Sequence, residues 1–295
     1  MKSRTKINKS YYSYKPNKML LKTKFEDVNV LNSIERIFLK KRGYVFKLPK
    51  PKSPVILLMS GGLDSICMTN FLLDKFKLRL FPLFIRWGQM NIHKEEAAFD
   101  YFSRYFSRKC KSLFMDPIKV DAPIPIRELS NGVKDIVVLR NTTFAVHAVH
   151  YAHYLENTTG DKIRTIFCSS VANDGNIVPD STLTAIRATN LNICLNESDF
   201  EWQYTSIALE KTLGFYLAKP FFIKYAAKRH LPLGKTWSCY RKSEHHCGNC
   251  LPCMGRKEAF ILSKVKDPTI YSSSHILQKL AARLSGKILK IFSNK

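Results

Sequence analysis

Residues 54–65 read Pro-Val-Ile-Leu-Leu-Met-Ser-Gly-Gly-Leu-Asp-Ser, an apolar run cut short by two glycines. The unbroken run 55–59 predicts a strand buried on both faces, as in a parallel sheet. Gly61 and Gly62 predict a tight turn, open enough for backbone to approach a ligand where a Cβ would clash. Asp64 and Ser65 stand where helix caps belong, and 66–76 continues with helical apolar spacing. A helix leaving such a turn presents free N–H groups at the positive end of its dipole, which suits phosphate. No Gly-Lys-Ser/Thr follows, so this is not a Walker loop.

Strand and helix patterns alternate on from this stretch. Strands are expected at 78–85, 113–118, 164–169 and 201–205, with helices at 29–39, 92–110, 141–154, 182–192 and from Pro220 onward. Alternation of this kind implies an α/β fold with a doubly wound parallel sheet, which takes ligands at the carboxyl ends of its strands. The chain divides on composition into a basic N-terminal extension (1–53), the α/β domain (54–235), a cysteine-rich element (236–264) and a basic amphipathic tail (265–295). In the tail Ile276, Leu280, Leu284, Ile288 and Ile291 share one helical face, suited to packing on the core or a partner rather than on a membrane surface.

At 295 residues and 45% apolar composition the chain can build one substantial core with appendages. No stretch approaches the roughly 18 apolar residues of a membrane-spanning helix, so no stable membrane insertion is expected. No apolar segment follows the basic start as in a secretory signal, and the cytoplasm is the expected location. The net charge is +25, and residues 1–52 hold 15 Lys and Arg against 3 Asp and Glu. Such charge suits a nucleic acid or an acidic protein partner, or simply decorates a lysine-rich soluble enzyme.

Of eight cysteines, Cys67, Cys110, Cys168 and Cys194 are scattered and read as small buried hydrophobes. Cys239, Cys247, Cys250 and Cys253 are bunched, and in a reducing compartment such a cluster points to metal. Four thiolates match tetrahedral zinc, and Gly248 eases the bend between ligands. An iron–sulfur cluster is the rival, since it also takes four cysteines. A catalytic cysteine is the third reading.

Ser-Gly-Gly-Leu-Asp-Ser resembles the PP-loop of the ATP pyrophosphatases, which cleave ATP between its α and β phosphates. Thr236-Trp-Ser-Cys-Tyr followed by Cys-Gly-Asn-Cys-x2-Cys-x2-Arg256 is similar to the 7-cyano-7-deazaguanine synthase (QueC) family. In the same order, Trp87-Gly-Gln resembles the family's Tyr-Gly-Gln, Leu139-Arg-Asn its Pro-Gly-Arg-Asn, and Asp174 with Pro179-Asp180 its D…YPD segment. Lys219 lies near the lysine of its P-L-x4-K element, although Leu213-Gly214 replaces Pro-Leu. Ser181-Thr182-Leu183 stands where the family has Cys-Arg-Pro, and the basic ends have no counterpart. These departures mark a divergent member, similar to the QueC-like proteins of Qat and type IV CBASS antiphage systems, for which protein modification is implied.

The resemblance implies ATP-dependent adenylation of the carboxylate of 7-carboxy-7-deazaguanine, then transfer to ammonia or to a partner's amine. It places Ser60, Gly61, Gly62, Leu63, Asp64 and Ser65 on the phosphates, with Asp64 also orienting Mg²⁺. Asp64, Arg140 and Lys219 become the catalytic set, and Trp87, Gln89, Asn141, Asp174, Asp180 and Arg256 the substrate contacts. ATP, Mg²⁺ and Zn²⁺ are the implied cofactors. Competing readings are a tRNA-modifying PP-loop enzyme, whose relatives include iron–sulfur thiolases, and a non-enzymatic nucleotide-sensing scaffold.

Overall fold

A computed structural model of the chain describes residues 20–123, 137 and 139–272; the expected tail helix and nearly all of the first 20 residues lie outside them. Five strands form one parallel sheet: β1 (Pro54–Leu58), β2 (Arg79–Arg86), β3 (Ile118–Asp121), β4 (Thr165–Phe167) and β5 (Gln203–Thr205). Their spatial order is β3-β2-β1-β4-β5. The chain winds outward from β1 to β3, then crosses back to add β4 and β5 on the other side. The carboxyl ends of β1 and β4 therefore flank the switch point, where open α/β sheets bind ligands.

Among the described residues seven α-helices cover the sheet: α1 (Val28–Arg42), α2 (Leu63–Phe71, prolonged by a π turn, Leu72–Phe76), α3 (Ile92–Lys109), α4 (Arg140–Thr159), α5 (Leu183–Asn196), α6 (Lys219–Ala227) and α7 (Leu251–Ser263). Period-two alternation sorts the strand side chains between two cores. Val55, Leu57, Leu80 and Phe84 join Phe99 and Phe102 of α3, Phe222 of α6 and Phe260 of α7. Ile56, Phe81, Leu83 and Ile85 face the opposite way, toward Phe38 of α1, Ala148 of α4 and Ile186 of α5. The result is a three-layer α/β/α arrangement, as the alternating patterns predict.

Two expectations shift. The third strand lies at Ile118–Asp121 rather than 113–118, and Phe114 makes only an isolated bridge to Leu80. Pro117 explains the offset, because its nitrogen cannot donate to a ladder running through it. Helix α1 belongs to the core although its segment reads as an extension. Asp27 caps it by accepting from the backbone of Asn29 and Val30, and Leu31, Ile34 and Phe38 are buried beneath it. Each such burial is worth roughly 1.5–3 kcal/mol. Its Glu35 pairs with the buried Arg187 of α5 at 3.4 Å, and Arg187 meets Glu210 at 2.8 Å.

Candidate functional site

A cleft of about 340 Å³ opens at the switch point. Its floor is the turn after β1. Gly62 caps α2 without a side-chain bond, so Asp64 and Ser65 sit inside the first turn and are not caps as the spacing suggests. Ser65 braces the turn instead: its Oγ accepts from Ser60 N at 3.2 Å and donates to Gly62 O at 3.1 Å. The first N–H groups of α2 have no intrahelical acceptors and open toward the cleft mouth. Ser60, Gly62, Leu63, Asp64 and Ser65 all line the cleft. Gly61 does not. It has φ +75°, and a Cβ there would stand 2.6 Å from Glu95 O and 2.7 Å from Phe99 N. The glycine thus admits the backbone of α3, not a ligand.

Lys219, at the start of α6, meets Asp64 at 3.0 Å. Burial alone would lower the Lys219 ammonium, but Asp64 and Asp174 hold it above its ordinary value. Asp174 is pushed up to about 6, mainly by burial and further by the charge of Asp64, while Lys219 works in the other direction. The second oxygen of Asp64 is buried without a hydrogen-bond partner among the described residues. An orphaned hard oxygen beside a phosphate-sized turn fits a magnesium ion, which keeps most of its shell for water and phosphate.

Arg140 opens α4 directly after Leu139, a non-glycine residue at φ +55°. Its guanidinium lies 5.7 Å from the Trp87 ring and 5.9 Å from Phe144, and its buried Nε has no hydrogen-bond partner among the described residues. Trp87 N donates to Gln89 Oε1 at 2.9 Å. Gln89 Nε2 then donates to Ile85 O at 3.3 Å and to Glu95 Oε2 at 3.2 Å. Glu95 escaped the sequence reading. Burial pushes its carboxyl up to about 7, against the pull of Gln89 and Arg140. The available signal was an acid at the head of an apolar stripe, since Glu95, Phe99, Phe102 and Phe106 share one face of α3. Tyr204, Trp237 and Tyr240 also line the cleft without having been singled out.

Asn141 lines the cleft while Asp180 does not. Asp180 caps α4 instead, accepting from Asn141 N at 3.2 Å. In the divergent Ser181-Thr182-Leu183 segment, Ser181 accepts from Asn141 Nδ2 at 3.2 Å and Thr182 caps α5 through Ala185 N at 3.0 Å. This segment supplies the cleft with no cation.

Arg256 also points away from the cleft. It is 1% exposed and donates to Thr236 Oγ1 (2.7 Å), Ser238 Oγ (3.2 Å), Leu233 O (2.9 Å) and Thr269 Oγ1 (2.7 Å). That clamp fixes the segment in which Trp237 N donates to Gly61 O at 3.1 Å, tying the cysteine element to the phosphate turn.

The sulfurs of Cys239, Cys247, Cys250 and Cys253 all lie within 4.8 Å of one another. Cys247 and Cys253 are 4.0 Å apart, and Cys250 and Cys239 3.9 Å. Around one tetrahedral ion with metal–sulfur bonds of about 2.3 Å, neighbouring sulfurs stand roughly 3.8 Å apart. The four thiols therefore fit a single ion. Burial opposes ionisation of Cys247, yet backbone N–H donors bring its thiol down to about 7. His246 takes no part in the sulfur cluster. Its ring accepts from Ser238 N at 3.1 Å and lies 4.4 Å from the Trp237 ring.

The family model for the queuosine biosynthesis protein QueC matches residues 54–264. A 7-cyano-7-deazaguanine synthase of Ruegeria sp. is 42% identical over 234 residues, covering 74% of this chain and 92% of that protein. The synthase of Thermoplasma volcanium is 28% identical over 238 residues, covering 75% and 92%. Among solved structures, the U34-tRNA thiolase NcsA from Methanococcus maripaludis with its [4Fe-4S] cluster overlaps at a TM-score of 0.33. That overlap has 16% identity over 81% of this chain and 73% of the thiolase, too little for the cluster to bear on the cysteines here.

Proposed function

The chain belongs to the QueC family, and from that premise we propose that it uses ATP to adenylate the carboxylate of 7-carboxy-7-deazaguanine and hands the acyl group to an amine. A carboxylate resists an amine at neutral pH because its leaving group is poor and its charge repels the nucleophile. Attack on the α phosphate of ATP converts it to an acyl-adenylate and releases pyrophosphate. The task of the protein is then positioning and charge neutralisation.

The observation that carries the proposal is the Asp64–Lys219 pair, 3.0 Å apart beside the turn after β1 at the switch point. Lys219 offers a permanent positive charge to the departing pyrophosphate, and the amides of Leu63 to Ser65 hold its oxygens. Asp64 would hold Mg²⁺, which supplies further neutralisation of phosphate charge when bound. Trp87 and Phe144 provide a ring-sized apolar wall, with the Arg140 guanidinium against it for the substrate carboxylate. Cys239, Cys247, Cys250 and Cys253 would hold Zn²⁺ in a structural role, as a closed four-sulfur shell leaves no position for substrate.

Two acceptors suit this chemistry: ammonia, giving an amide and then a nitrile after a second activation, or the amine of a protein partner in a defence system. In the second case the basic ends dock the partner, and a nucleic acid is the other polyanion they fit. The test is pyrophosphate release with ATP and the acid, for wild type, Asp64→Asn and Lys219→Met. Losses of about 10²–10³ in each variant are expected for removal of one charge-stabilising group. Full release by both variants would defeat the assignment. Intact-mass measurement of the products separates a nitrile from a modified polypeptide.

A further inference from the structure

We infer that Glu95 is the proton acceptor for the incoming amine, and that Glu95 with Gln89 forms the subsite where this amine loses its proton. The inference rests on the acyl-transfer reading above and adds a role that reading leaves unfilled. An amine that attacks an acyl-adenylate must give up a proton as the new bond forms, and the cleft must hold a group able to take it.

The other carboxylates and the cations of the cleft are committed elsewhere. Asp64 is paired with Lys219 at 3.0 Å. Asp174 accepts from Val171 N at 3.0 Å and lies in the field of Lys219. Lys219 and Arg140 are cations with no basic lone pair to offer. The Tyr204 phenol is driven further from ionisation by burial. Glu95 alone among these carboxylates has no ion-pair partner within the cleft. Among the described residues the one hydrogen bond to its side chain is donated by Gln89 Nε2 to Oε2 at 3.2 Å, and the residue lines the cleft.

Its position is also fixed. Gln89 is held at both ends, accepting from Trp87 N and donating to Ile85 O, so its amide cannot flip away from the carboxylate. The backbone carbonyl of Glu95 packs against Gly61 of the phosphate turn, and Glu95 lines the same cleft as Ser60, Gly62 and Asp64 of that turn. The groups acting on it are Gln89 from the loop after β2 and Arg140 from α4, both favouring the ionised form against burial. The balance puts its proton affinity near neutrality, where a general base works best.

The step balances as follows. The nitrogen lone pair forms the C–N bond, one N–H proton passes to Glu95 Oε1, and the C–O bond to AMP breaks with its electron pair leaving on the AMP phosphate. The amide and AMP depart, and Glu95 returns its proton to water.

The experiment compares wild type and Glu95→Gln in three assays: acid-dependent exchange of pyrophosphate into ATP, amide formation with ammonia, and hydroxamate formation with hydroxylamine. Hydroxylamine is largely unprotonated at neutral pH, and the nitrogen it brings to the acyl carbon is acidic enough after attack to lose its proton to water. Exchange in the variant should stay within about 3-fold of wild type, while amide formation falls about 10²–10⁴-fold. Hydroxylamine should bring acyl transfer back to within about 10-fold of the wild-type rate. At a constant concentration of free ammonia the wild-type amide rate should also rise with pH through about 7, and the variant should lack that limb. Normal amide formation by the variant overturns the inference, as does an equal loss in exchange and transfer or a failure of hydroxylamine to restore turnover. Absence of exchange in the wild type would instead count against adenylation itself, which keeps the two failures apart.

Discussion

Gly61→Ala should destabilise the fold far more than Gly62→Ala, although the two residues are neighbours in one motif. At position 61 the backbone is left-handed at φ +75°, which costs a residue with a Cβ roughly 1–2 kcal/mol. The added methyl would stand 2.6 and 2.7 Å from two backbone atoms of α3, about 0.8 Å inside ordinary contact. Neither atom can rotate aside, so the first turn of α3 must move, and overpacking of that kind costs about 1–3 kcal/mol. Lost freedom in the unfolded chain returns about 1 kcal/mol, for a net cost of roughly 1–4 kcal/mol. That is a large part of the 5–15 kcal/mol or so that holds a typical domain. At position 62 φ is −71°, and the nearest atoms are the rotatable Ser60 Oγ at 3.1 Å and Trp237 O at 3.5 Å. Its cost should stay within about 0.5 kcal/mol. Urea unfolding followed by tryptophan fluorescence reads both variants on one scale. Gly61→Ala unfolding at the wild-type midpoint, or Gly62→Ala proving the more damaging, would refute the steric reasoning.

Metal analysis should find one zinc per chain, and a chelator that removes it should lower the melting temperature and weaken nucleotide binding through the Trp237–Gly61 link; stoichiometric iron would contradict this. The Glu95 carboxyl, ordinarily near 4.5, is raised to about 7 in the fold, so the folded state holds a proton that the unfolded chain has lost. The fold is therefore penalised increasingly as pH climbs from 4.5 to about 7, by at most about 3 kcal/mol. Glu95→Gln should be the more stable protein at pH 8 and indistinguishable from wild type below pH 4.5, as thermal melts across that range would show.

The centre of the sheet was legible because β1 and β2 are buried on both faces and written as apolar runs between helical patterns. β3 was misplaced because Leu113 and Phe114 look like a strand, while Pro117 decides where the ladder can form. The phosphate turn and the cysteine cluster were legible as local motifs, since their residues act within a few positions of one another. Arg256 and Asp180 sit in equally recognisable strings, but motif membership cannot tell a residue facing the ligand from one holding the backbone that does. Glu95 was missed for the opposite reason. Its importance comes from Gly61, Gln89 and Arg140, three separate segments that meet only in the folded chain.

The buried Arg187 binds together parts of the chain that no single motif contains: Glu35 from the first helix and Glu210 from beyond the last strand. A polypeptide trimmed to the boundaries of its family signature would discard Glu35, Leu31, Ile34 and Phe38 together, baring an oily face and stripping a guanidinium of one counter-charge. The piece that identifies this molecule is thus narrower than the piece its core is built from, and a chain cut at residue 54 should be less soluble than the full one.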